Sequence, residues 1–175
     1  LADFGHGLMQ EKLRAIVQDE APFLILNCQT NSNNHCFNII TRQYRRADAF
    51  LLDNQEMILA CGRRLFDADA ELAAMASTFG SGCAWFTRGN VMTHGFAKNS
   101  APVHIPPLVT DVTDTVGAGD AFFSVAGLAA ACGLPIETST FLGQLAGAQA
   151  VNIVGNERPI SKTTLLMDVK SLLNQ

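Results

Sequence analysis

Thr113-Asp114-Thr115-Val116-Gly117-Ala118-Gly119-Asp120 runs straight into the apolar segment AFFSVAGLAAACGL, residues 121–134. Two carboxylates bracket a turn that holds two glycines. Gly117 and Gly119 let the backbone turn tightly and come close to a ligand. The apolar segment predicts a buried helix over residues 118–131. The first N–H groups of such a helix have no intrahelical acceptor, and its dipole makes that end positive. A phosphate suits that place. Asp120 does not suit a phosphate, because a carboxylate repels it. It suits the proton acceptor of a hydroxyl that attacks the phosphate, while the amides stabilise the moving phosphoryl group. A plainer reading stays open here: a first-turn carboxylate favoured by the dipole, beside glycines that only make a turn.

Outward from this stretch, helical and strand patterns alternate. Residues 8–19 have helical apolar spacing, Pro22 ends it, and residues 23–27 (FLILN) predict a short buried strand. Residues 29–34 read as a polar loop. AFLLD (49–53) is a second buried strand, with Asp53 capping a helix over 54–61 that Gly62 ends. Asp67 or Asp69 starts a helix that Gly80 stops. CAWFT (83–87) is a strand, 91–96 its hairpin partner, and 102–107 an edge strand limited by prolines. A helix over 136–153 follows, and Ser161 caps a last one with Leu165, Leu166, Val169, Leu172 and Leu173 on one face. The opening Leu-Ala-Asp reads as a strand end. This alternation predicts an α/β fold with a mainly parallel sheet between helices.

The 175 residues suit one domain with a sizeable core, at 48% hydrophobic and 16% charged. A net charge of −4 argues against a nucleic-acid partner. The apolar run 121–134 is too short to span a bilayer, so no membrane partner is expected. Five scattered cysteines without a CxxC pair read as reduced thiols of a cytoplasmic protein. Cys28, His35 and Cys36 lack the usual zinc spacing, so no metal site is assigned to them. The chain starts at Leu1, not Met, and is expected to be part of a longer one.

The pattern D-T-x-G-A-G-D, met by Asp114, Thr115, Gly117, Ala118, Gly119 and Asp120, resembles the C-terminal signature of the PfkB, or ribokinase-like, carbohydrate kinases. The resemblance implies a ribokinase-like three-layer fold, here without the N-terminal part and lid, so that residues 1–175 form the C-terminal part of one kinase domain. It implies Asp120 as catalytic base, with Gly117, Ala118 and Gly119 as an anion hole next to Thr115. Asp114 becomes a candidate for a monovalent cation such as K⁺. The family's N-x-x-E element, whose glutamate holds Mg²⁺ through water, is matched by Glu56, with Asp53 at the asparagine position. A helix cap with a first-turn glutamate explains the same pair. The family's T-x-G strand end is matched by Thr87 and Gly89; the second glycine that often follows is replaced in this stretch by Val91 and Met92. AGAQAVNIVGN is similar to the helix and loop that wall the adenine pocket, which names Asn152 and Gly155.

Residues 2–7 resemble the SDYxKG element of the heptose-7-phosphate kinase branch, with His6 where those relatives have lysine; residues 27–38 do not match that branch's D-P-K stretch. The resemblance implies ATP and Mg²⁺ as cofactors and a sugar or sugar-phosphate acceptor. A second copy of the chain, an N-terminal kinase segment and a further domain are candidate partners. Two other readings are carried: a non-catalytic nucleotide-binding module, and a nucleoside kinase of the same fold.

Overall fold

The computed structural model describes residues 1–174 apart from Ser32, Asn34, His35 and Thr110, and the backbone only of Asn156. His35 therefore lies outside the described residues. One sheet of six strands runs in sequence order: β1 (Ala2–Asp3), β2 (Ile25–Cys28), β3 (Ala49–Asp53), β4 (Cys83–Thr87), β5 (Thr93–Ala97) and β6 (Val103–Ile105). The first four are parallel, and β5 and β6 are antiparallel. Helices α1 (Glu11–Glu20), α2 (Ile40–Gln43), α3 (Asn54–Cys61) and α4 (Ala68–Phe79) lie in the crossovers between parallel strands; α5 (Ala118–Ala131), α6 (Ile136–Ala150) and α7 (Lys162–Leu173) follow the sheet.

Strand pleating splits the core in two. In β3, Phe50 and Leu52 face α2, α3 and α4, where they meet Ile40, Met57, Leu72 and Phe79. Ala49 and Leu51 face the other way, against Phe122, Ala126 and Ile136 of α5 and α6. β4 divides likewise, with Ala84 and Phe86 on the first face and Trp85 on the second. A strand covered on both faces reads as an unbroken apolar run, which is why AFLLD was legible. The expected three-layer architecture is present.

Local chemistry sets most boundaries. Asp53 caps α3 in a capping box: its carboxylate accepts from the Glu56 amide at 2.7 Å, and Glu56 accepts from the Asp53 amide at 2.8 Å. Asp67, rather than Asp69, caps α4, and Gly62 and Gly80 close the two helices. Trp85 is fully buried, and its indole N–H donates to Thr140 at 3.0 Å. α5 and α6 pack closely because Gly143 faces Phe122 and Ala126: a Cβ there would sit 2.8 Å from the Phe122 ring.

Five expectations need correction. α1 starts at Glu11, not residue 8, and Leu8 is exposed. β2 starts at Ile25, because Pro22-Phe23 bends and the Leu24 amide bonds the Asp48 carboxylate instead of the ladder. β5 starts at Thr93, since the Val91 amide closes a turn on the Arg88 carbonyl. α6 stops at Ala150 rather than residue 153: the Val151 carbonyl accepts the amides of Thr113 and Asp114, at 2.9 and 3.0 Å. On α7, Leu165 and Val169 are half-buried, but Leu166, Leu172 and Leu173 are exposed. The four-residue α2 was too short to carry a period. Among the described residues no helix is long and apolar enough to cross a membrane.

Candidate active site

Asp3, Asp53 and Thr87 end β1, β3 and β4, and Gln29 follows β2 directly. All four therefore stand at the carboxyl edge of the parallel strands, where open α/β sheets bind their ligands. α5 begins at the same edge. Its N-cap is Gly117, at φ 81°, a left-handed conformation that costs a side-chain-bearing residue energy. The loop before it is held by Asp114. One carboxylate oxygen accepts from the Val116 amide at 3.0 Å, the other from the Gly155 amide at 2.8 Å. These amide bonds hold the Asp114 carboxyl below the usual carboxylate range.

A cavity of about 530 Å³ lies along one side of the α5 start. It gathers six of the candidate residues, Asp53, Thr87, Gly89, Thr115, Ala118 and Gly119. Its apolar wall comes from Leu108, Val109, Val112, Phe122 and Val151, with the small Gly147 and Ala148 of α6 opposite. Gln144 donates to Thr93 at 2.9 Å and to the Ile105 carbonyl at 3.2 Å, fixing α6 to the hairpin that floors the cavity. Asn152 lines an adjoining cavity of about 480 Å³ between α6 and α7, which shares Leu108, Val109 and Ala148 with the first. Gly155 lines neither; it serves through its amide to Asp114. Of the amides expected to form an anion hole, that of Ala118 already donates to the Thr115 carbonyl at 3.3 Å.

Asp120 is exposed and stands on the other side of the first turn of α5, toward the end of β2. Its Oδ1 accepts from Gln29 Nε2 at 2.8 Å. Gln29 Nε2 also reaches Asn27 Oδ1 at 2.6 Å, and Asn27 Nδ2 reaches the Leu51 carbonyl at 3.2 Å and Glu56 Oε2 at 3.5 Å. A line of polar groups thus joins Asp120 to the buried Glu56. Burial, then the neighbouring Asp53 charge, pushes the Glu56 carboxyl up to about 8. His6 lies at the same end, with its Nε2 3.1 Å from Asn31 Nδ2. Gln29 and Asn27 were read from sequence only as loop and strand end. Gln29 is 91 residues from Asp120, so no local signal could pair them.

The arrangement separates two compartments at one helix start. A mostly apolar cavity with backbone amides and hard oxygen donors lies on one side, and a carboxylate positioned by an amide side chain lies on the other. Chemically, such an arrangement can hold an anion at the helix start and accept a proton at the Asp120 carboxylate.

Comparison with known proteins supplies a family and a fold. Residues 33–163 match the family model "pfkB family carbohydrate kinase". Among curated relatives, bifunctional protein HldE of Haemophilus influenzae is 27% identical over 161 residues, covering 89% of this chain and 32% of that protein. Bifunctional protein HldE of Caulobacter vibrioides is 34% identical over 91 residues, covering 52% of this chain and 18% of that protein. The chain thus spans a third or less of these relatives. Phosphofructokinase-2 from Escherichia coli, solved in complex with substrates and products, shares the fold with a TM-score of 0.75 at 16% identity; the match covers 97% of this chain and 54% of that one.

Proposed function

The chain belongs to the pfkB family of carbohydrate kinases, and from that premise we propose that it carries the nucleotide site and catalytic base of an ATP-dependent sugar or sugar-phosphate kinase. The observation that carries the reading is the placement of Asp120, Gln29, Asp53 and Thr87 around the start of α5 at one sheet edge. The nucleotide occupies the cavity, with its base against the small Gly147 and Ala148 of α6 and its terminal phosphate at the Gly117–Gly119 turn. Thr87 and Gly89 border the phosphates, and Thr115 closes the turn beside them. The acceptor lies over the ends of β1 and β2, beside Gln29 and His6. Asp120 takes the proton of the attacking hydroxyl as its oxygen bonds to the γ-phosphorus and the bridging oxygen leaves with ADP. Gln29 orients the Asp120 carboxylate.

Mg²⁺ would neutralise phosphate charge during transfer. The exposed Asp53 carboxylate on the cavity wall fits a hydrated Mg²⁺, which prefers oxygen ligands. Glu56 lies beneath it, already hydrogen-bonded to backbone amides, and supports the site from below. For Asp114 the geometry favours a loop clamp over a K⁺ ligand, as both its oxygens accept amides. For Asn152 and Gly155 it favours the loop behind the adenine side over direct contact.

The test is Asp120→Asn in the protein that carries this chain, assayed with a panel of sugars, sugar phosphates and nucleosides. The expected result is a loss of about 10²–10⁴-fold in kcat, the usual contribution of a general base, with ATP affinity unchanged. Wild-type binding of ATP without transfer to any acceptor would favour a non-catalytic nucleotide module. Transfer to nucleosides alone would move the acceptor class but keep the role of Asp120.

A further inference from the structure

The opposite face of the sheet holds a second group of chemically active side chains. Pairing places Phe86, His94 and His104 directly across from one another on β4, β5 and β6. Paired residues share a face, and Phe86 belongs to the core beneath α4, so both imidazoles point toward α4. Its first turn brings Asp69 to meet them. Asp69 Oδ1 lies 2.8 Å from His94 Nδ1, and Asp69 Oδ2 lies 2.8 Å from His104 Nε2.

We infer that Asp69, His94 and His104 form a site for a divalent transition-metal ion of the zinc class, which clamps the start of α4 to the β5–β6 hairpin. One ligand atom from each residue lies within 4.8 Å of the other two. A tetrahedral zinc with ligands at its usual bond lengths sets them about 3.3 Å apart. The present spacings of 2.8 to 4.8 Å bracket that value, so side-chain rotations complete the site. His94 is held by its neighbours, its ring 5.6 Å from Phe86 and 4.8 Å from His104. The His104 side chain is 44% exposed and that of Asp69 32%, which leaves outer positions for water. Imidazole donors select zinc, copper or nickel over Mg²⁺, so this site is chemically distinct from the oxygen donors of the kinase cavity. Among the described residues no other three His, Cys, Asp or Glu side chains converge in this way.

Metal binding uses the nitrogens that face Asp69, so a coordinating ring presents its lone pair there and keeps its proton on the other nitrogen. The clamp reaches the cavity through one residue. Thr93, next to His94 but on the other face, lines the nucleotide cavity and accepts from Gln144.

The test is titration of the purified protein with Zn²⁺ against a chromophoric chelator, together with the visible spectrum of the Co²⁺ form. Expected are one equivalent bound in the presence of excess Mg²⁺, a raised Tm, and Co²⁺ d–d bands without thiolate charge transfer. His104→Gln and Asp69→Asn should each weaken binding by more than the about 10–100-fold typical of losing an outer-shell partner. A Cys36→Ser/Cys132→Ser variant should bind as wild type. Absence of stoichiometric uptake, unchanged uptake in a folded His104→Gln, or uptake lost with the two cysteines would overturn the inference. If either histidine-site variant fails to fold, the wild-type Co²⁺ spectrum decides between imidazole and thiolate ligation.

Discussion

Glu56 holds its proton more tightly folded than unfolded, because it is buried beside Asp53. The sign of its effect follows. With a raised folded value near 8, the contribution to stability is full below the ordinary carboxylate range and is lost as pH rises toward 8. Each pH step inside that window costs about 1.4 kcal/mol at most. In metal-free buffer, urea midpoints of the wild-type protein should fall between pH 5 and 8. Glu56→Gln should abolish the fall, and Mg²⁺ should shrink it by favouring the carboxylate. A wild-type profile flat over this range would reject the assignment. Thr140 offers a second test at this scale. Its hydroxyl accepts the only N–H of the buried Trp85 indole. Thr140→Val strands that donor and should cost about 1–3 kcal/mol in denaturant unfolding, whereas Thr140→Ser, which keeps the oxygen, should cost less.

Between elements, the contact of α5 with α6 depends on missing side-chain atoms. Gly143→Ala brings a methyl within 3 Å of both Phe122 and Ala126. Alanine gains up to about 1 kcal/mol of helix propensity, yet overpacking at such a seam typically costs about 1–3 kcal/mol. Net destabilisation is expected, read as a lower Tm with unchanged helix content by circular dichroism. Elements of this kind were legible in sequence where one rule governed them. AFLLD, CAWFT, the capped helix after Asp53 and the apolar helix from Ala118 fall where pattern and caps put them. Boundaries moved where a distant group intervened, as the Asp48 carboxylate does at Leu24 and the Thr113 and Asp114 amides do at Val151. The candidate site divided in the same manner. The glycine turn and Asp120 announce themselves within eight residues. Gln29, Asn27 and the Asp69–His94–His104 group exist only once sheet pairing joins remote segments.

For the molecule as a whole, the thiols report how it opens. Cys36 and Cys132 are exposed, whereas Cys28 is almost wholly buried. Burial, then the Asp48 charge, pushes the Cys83 thiol up to about 11, and burial pushes Cys28 higher still. With a thiol reagent at pH 8, Cys36 and Cys132 should react at once. Cys28 should follow only at the rate of global unfolding, because it lies in the core under α2 to α4. Fast labelling of Cys28 would mean that this layer opens by itself.

The carbonyl of Val151 receives two amides from the loop that begins at Thr113. This single oxygen fastens the foot of one helix to the threshold of another. Continuing α6 by a further turn, until the amide of residue 155 reached this oxygen, would draw it into helical bonding and strip the loop of both amide bonds. Sequence changes at the tail of α6, remote from Asp120 along the chain, are therefore mechanically wired to the turn at Gly117–Gly119.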